Sequence, residues 1–176
     1  MYDRYTMQER QLDQLLLKIS QGDNDAFSEL YNATSRGVFA FIYSYLKNYQ
    51  DAEDVLQTVY LKIKLNVNQY KQGTNARAWI LQIAKNLSLN ELKKRKPTVE
   101  LTEDVPLSSS PHDMGVSDVM NRVLDEEERQ IIVLHVLWGY KHREIAEILN
   151  CPTGTVTSKY KRGVQKLQTA LKEVAI

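Results

Sequence analysis

Apolar residues recur at helical spacing over nearly the whole chain, and the pattern is interrupted once. Leu12, Leu15, Leu16 and Ile19 mark a first helix that Gly22 ends. A second runs from about Asp25 to Leu46, with Phe27, Leu30, Val38, Phe39, Ile42 and Leu46 inward. A third covers Asp51 to about Val67, and after a polar loop, Asn68 to Asn75, a fourth runs from Ala76 to about Arg95, where Pro97 stops it. The interruption, Pro97 to Gly115, carries three prolines, the run Ser108-Ser109-Ser110 and few bulky apolar residues. Such a segment cannot bury enough apolar area to offset chain entropy and reads as a linker. Helical pattern resumes near Ser117 and continues to the end, without strand-like alternation. The expected fold is therefore all-α: two small helical domains, 1–96 and 117–176, joined by a flexible acidic linker, 97–116.

The net charge of +1 conceals a segregated distribution. Lys71 to Lys96 holds seven Lys/Arg and one acid, and Lys141 to Lys172 holds seven Lys/Arg and two acids. Between them, Pro97 to Asp118 holds five acids and no Lys or Arg. A basic block near the end of each helical unit points to nucleic acid more than to ordinary solvated faces. A single cysteine excludes an internal disulfide framework and suits a reducing cytoplasm. No apolar run approaches a membrane span, and the first residues are too polar for a signal peptide, so no membrane insertion is expected.

The segment Lys141–Leu171 has the mechanics of a duplex reader. His142 to Leu149 forms a short helix with Ile145, Ile148 and Leu149 on one face. Asn150-Cys151-Pro152 turns the chain, and Thr153 is placed to cap the next helix. On that helix Val156, Tyr160, Gly163, Val164, Leu167 and Leu171 share one face, while Thr155, Ser158, Lys159, Arg162, Gln165 and Lys166 share the other. From Thr153 to Ala170 there is no acid, which a generic surface helix would not avoid. A packed back, donors for base edges and cations for phosphates are what a helix in a major groove needs. Cys151 is read as a small residue filling the turn.

The Asp51–Val67 helix has two faces. Ala52, Leu56, Val59 and Ile63 form a core stripe; Asp54, Gln57, Leu61 and Leu65 lie on the far side. Periodicity leaves two readings of Leu61 and Leu65 open: a partner-binding surface, or packing beneath another helix of the same domain. The next loop and helix interleave aromatic, amide and basic residues: Asn68, Tyr70, Lys71, Asn75, Arg77, Trp79, Lys85, Asn86 and Asn90. That content suits single-stranded DNA, where an unstacked base is held and its backbone neutralised. Tyr70 is the better stacking candidate and Trp79 the better core residue.

These residues carry a family resemblance. AFSELYNATSRGVFAFIYSYLKNYQDAEDVLQTVYLKI, and within it Asp51-Ala52-Glu53-Asp54-Val55-x-Gln57, resembles region 2 of extracytoplasmic-function sigma factors. ARAWILQIAKNLSLNELKKRK resembles the end of that region, with Trp79, Ile83, Ala84 and Asn86 in the expected places. LDEEERQIIVLHVLWGYKHREIAEILNCPTGTVTSKYKRGVQKL resembles region 4. The resemblance implies docking of Asp51, Glu53, Asp54, Gln57, Leu61 and Leu65 on the β′ clamp helices of core RNA polymerase. It implies capture of the melted −10 element by Asn68, Tyr70, Lys71, Asn75, Arg77, Lys85, Asn86 and Asn90. It implies reading of the −35 duplex by Thr153, Thr155, Ser158, Lys159, Arg162 and Lys166, contact with the β flap, a linker threading the polymerase, and restraint by an anti-sigma factor. Asp125, Asn150 and Lys159 depart from the usual Pro, Gly and Arg.

A helix-turn-helix repressor or activator binding operator DNA by itself is the rival reading; it would act as a dimer on half-sites. A helical-bundle enzyme is disfavoured: no carboxylate–histidine cluster, phosphate loop or nucleophile constellation is present, and no catalytic residue, metal or cofactor is expected.

Overall fold

The computed structural model describes residues 4–94 and 114–174, which are helical apart from short turns. It divides into two units on either side of Lys94–Arg95. Residues 97–113, most of the expected linker, lie outside the described residues, and helix begins again at Met114.

The first unit contains α1 (Arg4–Ser20), α2 (Asn24–Leu46), α3 (Tyr49–Asn66), a single 3₁₀ turn (Val67–Gln69) and α4 (Ala76–Lys94). Polar side chains start the helices. Asp23 accepts the Ala26 N–H at 3.0 Å to open α2, Asn48 accepts from Asp51 N–H at 3.0 Å to open α3, and Asn75 accepts from Ala78 N–H at 2.8 Å to open α4. Between α2 and α3, Lys47 takes a left-handed conformation and closes α2 by donating its N–H to Tyr43 O. α2 packs against α1, α3 and α4 around a core that includes Leu16, Leu30, Val38, Phe41, Ile42, Val59, Ile63 and Ile80. Phe27 and Phe39, expected inward, are only half-buried; Phe41 and Tyr45 fill the interior instead. α2 is aromatic on several sides, so hydrophobicity alone does not select which of these rings faces inward. Phe39 lies 5.1 Å from Tyr49 and Phe27 lies 6.3 Å from Tyr60 between ring centroids.

The second unit contains α5 (Met114–Val123), α6 (Glu126–Val136), α7 (His142–Leu149) and α8 (Thr153–Val174), with α5, α6 and α7 all packed on α8. Asp125 opens α6 with a reciprocal pair of bonds: its carboxylate accepts from Glu128 N–H at 2.8 Å and its own N–H donates to Glu128 Oε2 at 3.1 Å. A proline there has neither the carboxylate nor the N–H and could make no part of this motif. Asn150 ends α7 in the left-handed conformation at φ 54°, which asparagine tolerates better than most residues. Thr153 is the first residue of α8 rather than its cap, since Thr155 N–H bonds back to Pro152 O. Gly163 faces α6 so closely that a Cβ would lie 2.9 Å from Ile132 Cδ1.

Candidate functional site

The outer face of α3 is unpartnered within its own unit. Leu61 and Leu65 are 57% and 68% exposed, and Asp54 and Gln57 beside them are exposed, while Ala52, Val55, Leu56, Val59 and Ile63 are buried. Of the two readings left open by periodicity, packing beneath a neighbouring helix is thus excluded among the described residues. Asp51 and Glu53 are half-buried at the start of the same helix.

The loop from Asn68 to Asn75 is exposed apart from Tyr70. Tyr70 is not a free-standing ring: it packs on Trp79 at 5.4 Å between centroids, and its hydroxyl donates to Asp13 Oδ1 at 2.7 Å. Burial, then the bond to Asp13, pushes the phenol up from its ordinary value. Gly73, at φ 79°, donates its N–H to the same Asp13 oxygen at 2.8 Å. Arg77, expected on phosphates, is only 6% exposed and pairs with Glu9, Nε to Oε2 at 3.6 Å, while its N–H donates to Glu9 Oε1 at 3.1 Å. Its charge is therefore spent inside the unit, and the expectation of a phosphate contact is corrected. Burial pushes the Glu9 carboxyl up from its ordinary value, against the Arg77 N–H and guanidinium, which draw it down. Asn68, Lys71, Asn75, Asn86 and Asn90 are exposed and Lys85 is half-buried. Glu9 and Asp13 were not among the expected site residues; their partners lie 57 to 68 positions away, where no local pattern reaches.

The acid-free face of α8 is not acid-free in space. Lys159 Nζ pairs with Glu127 at 2.6 Å, Arg162 Nε with Glu128 Oε1 at 2.6 Å, and Lys166 Nζ with Glu128 Oε2 at 2.7 Å. The Glu128 side chain is 0% exposed, whereas that of Arg162 is 55% exposed. Burial pushes the Glu128 carboxyl up, but Lys166, Arg162 and the Asp125 N–H draw it down further, and the net position is below the ordinary carboxylate value. Gly154, Ser158, Lys161 and Gln165 form the outermost line of α8. Lys161 escaped the sequence reading because it falls just beside the expected polar arc. Thr153 is exposed and Thr155 half-buried at the helix start.

Behind α8, His135, His142 and Tyr160 form a three-ring cluster joining α6, α7 and α8, with centroids 4.7 to 5.1 Å apart. Cys151 is a free, half-buried thiol that burial, followed by Glu127, pushes up from its ordinary value, so it stays protonated at neutral pH.

Comparisons with known proteins follow the same division. The family described as Sigma-70 region 2 matches residues 30–98, and the one described as Sigma-70, region 4 matches residues 121–167. The ECF RNA polymerase sigma factor SigW of Bacillus subtilis is 27% identical across 94% of this chain and 100% of its own length. The ECF RNA polymerase sigma-E factor of Haemophilus influenzae is 27% identical across 94% of this chain and 98% of its own length. Among solved structures, the sigma factor RpoE from Bartonella quintana, in complex with the anti-sigma factor NepR, superposes with a TM-score of 0.66. It is 24% identical and covers 85% of this chain and 98% of that one, a likeness of fold. With both modules matched in order and such relatives aligned along nearly its whole length, the chain belongs to the extracytoplasmic-function group of the sigma-70 family.

Proposed function

We propose that this protein is an RNA polymerase sigma factor that brings core polymerase to promoters and has no catalytic activity of its own. The observation that carries the reading is the second face of α3, where Leu61 and Leu65 stand exposed beside Asp54 and Gln57 on a helix whose other face is fully packed. A stand-alone operator binder would use such a surface to dimerise, whereas a polymerase subunit needs it for the β′ clamp helices, and the two uses differ in what co-elutes with the protein. Asp51 and Glu53 flank that surface. The −10 strand is assigned to Asn68, Tyr70, Lys71, Asn75, Lys85, Asn86 and Asn90, with Arg77 now holding the loop rather than a phosphate. The −35 duplex is assigned to α8, led by Ser158, Lys161, Arg162 and Gln165, with Thr153 and Thr155 at its start and Lys159 and Lys166 at its edge. The β flap and an anti-sigma factor complete the proposed partners; Val136 and Leu137, exposed at the end of α6, offer them an apolar contact. The site of action is the cytoplasm, where core polymerase works; no helix among the described residues is long and apolar enough to cross a membrane.

The test is gel filtration with purified core polymerase, followed by transcription from a genomic promoter library. The protein should co-elute with core and direct initiation, and Asp54→Ala with Leu61→Ala should weaken co-elution about tenfold or more without lowering helicity. Undiminished co-elution of the double variant would remove α3 from the interface. Tight binding to duplex DNA as a dimer, with no affinity for core, would establish the repressor reading instead.

A further inference from the structure

The contacts of α1 with the α3–α4 loop have no counterpart in the roles assigned above. Glu9 and Asp13 stand one helical turn apart on α1 and grip the two ends of the segment 70–77. At one end, a single Asp13 oxygen accepts from the Tyr70 hydroxyl at 2.7 Å and from the Gly73 N–H at 2.8 Å. At the other, Glu9 takes the Arg77 N–H at 3.1 Å and faces its guanidinium. Between the pins, Lys71, Gln72, Thr74 and Asn75 are exposed. A polar loop of this length has no apolar core to hold its shape, so an external carboxylate is what selects one conformation from many.

We infer that Asp13 is a positioning residue for −10 recognition: it fixes the Tyr70 ring and the Gly73 backbone so that the side chains between them meet an unstacked base in one geometry. The inference rests on the reading that this loop takes the −10 strand. Asp13 touches no DNA in this scheme. Its two acceptor bonds convert a flexible connector into a preorganised edge, and preorganisation appears as base discrimination more than as overall binding. The bond to the Tyr70 hydroxyl also sets the angle at which the Tyr70–Trp79 pair faces the loop.

The experiment uses the full chain with core polymerase and a promoter library carrying every single-base change in the −10 and −35 elements. Three proteins are compared with the parent: Asp13→Ala, Asp13→Asn, and a chimera in which residues 68–75 come from a sigma factor with a different −10 preference. Asp13→Ala removes both acceptor bonds and should lower discrimination at one or two −10 positions by about 3- to 10-fold, the worth of one or two net hydrogen bonds. Its −35 profile and co-elution with core should match the parent. Asp13→Asn keeps an acceptor oxygen for both donors and should recover most of the −10 profile, which a general loss of fold would not allow. Thermal melting of all three confirms that each is folded. If the chimera shifts the −10 profile and Asp13→Ala does not, the inference fails while the loop assignment stands. If the chimera leaves the −10 profile unchanged, both fail. Stronger melting or tighter −10 binding by Asp13→Ala would also overturn it, showing that the carboxylate shields the loop from DNA rather than shaping it.

Discussion

Glu128→Gln tests whether the buried carboxylate at the start of α6 holds the DNA-binding unit together. The parent side chain is 0% exposed and receives Lys166 Nζ at 2.7 Å, Arg162 Nε at 2.6 Å and the Asp125 N–H at 3.1 Å. A glutamine has one acceptor oxygen, and its amide presents a donor where a cation's N–H already points. It therefore keeps at most one of the two cations, and that bond loses its charge. Arg162 is half exposed, so its bond is screened and is left out of the sum. Lys166, which shares Oε2 with the Asp125 N–H, is the cation that a glutamine oxygen keeps; its bond loses its charge and, with the side chain more than a third exposed, is discounted for screening too, so the expected cost is about 1 kcal/mol. Against this stands relief from burying an ion, but the carboxyl sits below its ordinary pKa, so its partners outweigh the burial and the sign is destabilising. For a unit this small, about 1 kcal/mol corresponds to a fall in Tm of roughly 4–8 °C. Trp138 is buried in this unit and Trp79 lies in the other, so Trp79→Phe isolates the signal. The pH dependence gives a second reading. A carboxyl held lower in the folded state contributes stability that is present above its unfolded value of about 4.3 and lost as pH falls through the folded value. The parent unit should thus weaken in acid more steeply than the glutamine variant. An unchanged or raised Tm would refute the reasoning, because desolvation of the carboxylate would then cancel its bonds.

His142 is held below its ordinary value by burial and, secondarily, by His135; its ring faces His135 on α6 and Tyr160 and Thr157 on α8. A depressed imidazole contributes stability that is full above about pH 6.5 and lost as pH falls through the folded value, so Trp138-detected Tm should drop between pH 8 and pH 5.5, and His142→Asn should flatten that slope. At Gly163, alanine gains about 1 kcal/mol of helix propensity but must turn the Ile132 methyl aside at about 0.5–1.5 kcal/mol. The unfolding free energy of Gly163→Ala from urea titration should therefore stay within about 1 kcal/mol of the parent, whereas Gly163→Leu should cost about 1–3 kcal/mol or more.

The local structure was legible where a helix is amphipathic. α7 spans His142–Leu149 as the periodicity predicts, because Ile145 and Ala146 face the core between polar residues. α3 was legible for the same reason, although its periodicity left open whether Leu61 and Leu65 on the far side are exposed or covered by another helix. α2 was less so, since rings at Phe39, Phe41, Tyr43 and Tyr45 spread apolar surface around the helix. What the sequence concealed was pairing at long range. Glu128 reads as one of three surface acids after Asp125, and nothing local reveals that two cations 34 and 38 positions later converge on it. Arg77 reads as a free charge in a basic block, yet Glu9 on α1 buries it. A hydrophobic pattern reports which face is covered; it does not report which charge is answered by a distant element.

Those hidden pairs bear on the choice between a polymerase subunit and a stand-alone DNA binder. Three of the seven Lys/Arg from Lys141 to Lys172, namely Lys159, Arg162 and Lys166, are paired with acids of α6. Phosphates must compete with Glu127 and Glu128 for them. Each phosphate neutralised contributes roughly 0.9 to the slope of log affinity against log salt, so a face whose cations are already answered draws less affinity from counterion release. A repressor acting alone must obtain its affinity from its own charges. A sigma factor need not: once α3 is docked, α8 meets the promoter as part of one assembly, and the effective concentration of that second contact replaces raw electrostatic attraction. The same pairing sharpens recognition. Arg162 is held by its Nε, which leaves the terminal nitrogens of a half-exposed guanidinium directed by a fixed anchor rather than by a flexible stem. On the proposed function, weak binding by the free protein and definite geometry at the base edge are both expected from Glu127 and Glu128, and both suit a reader that works only when another protein places it on DNA.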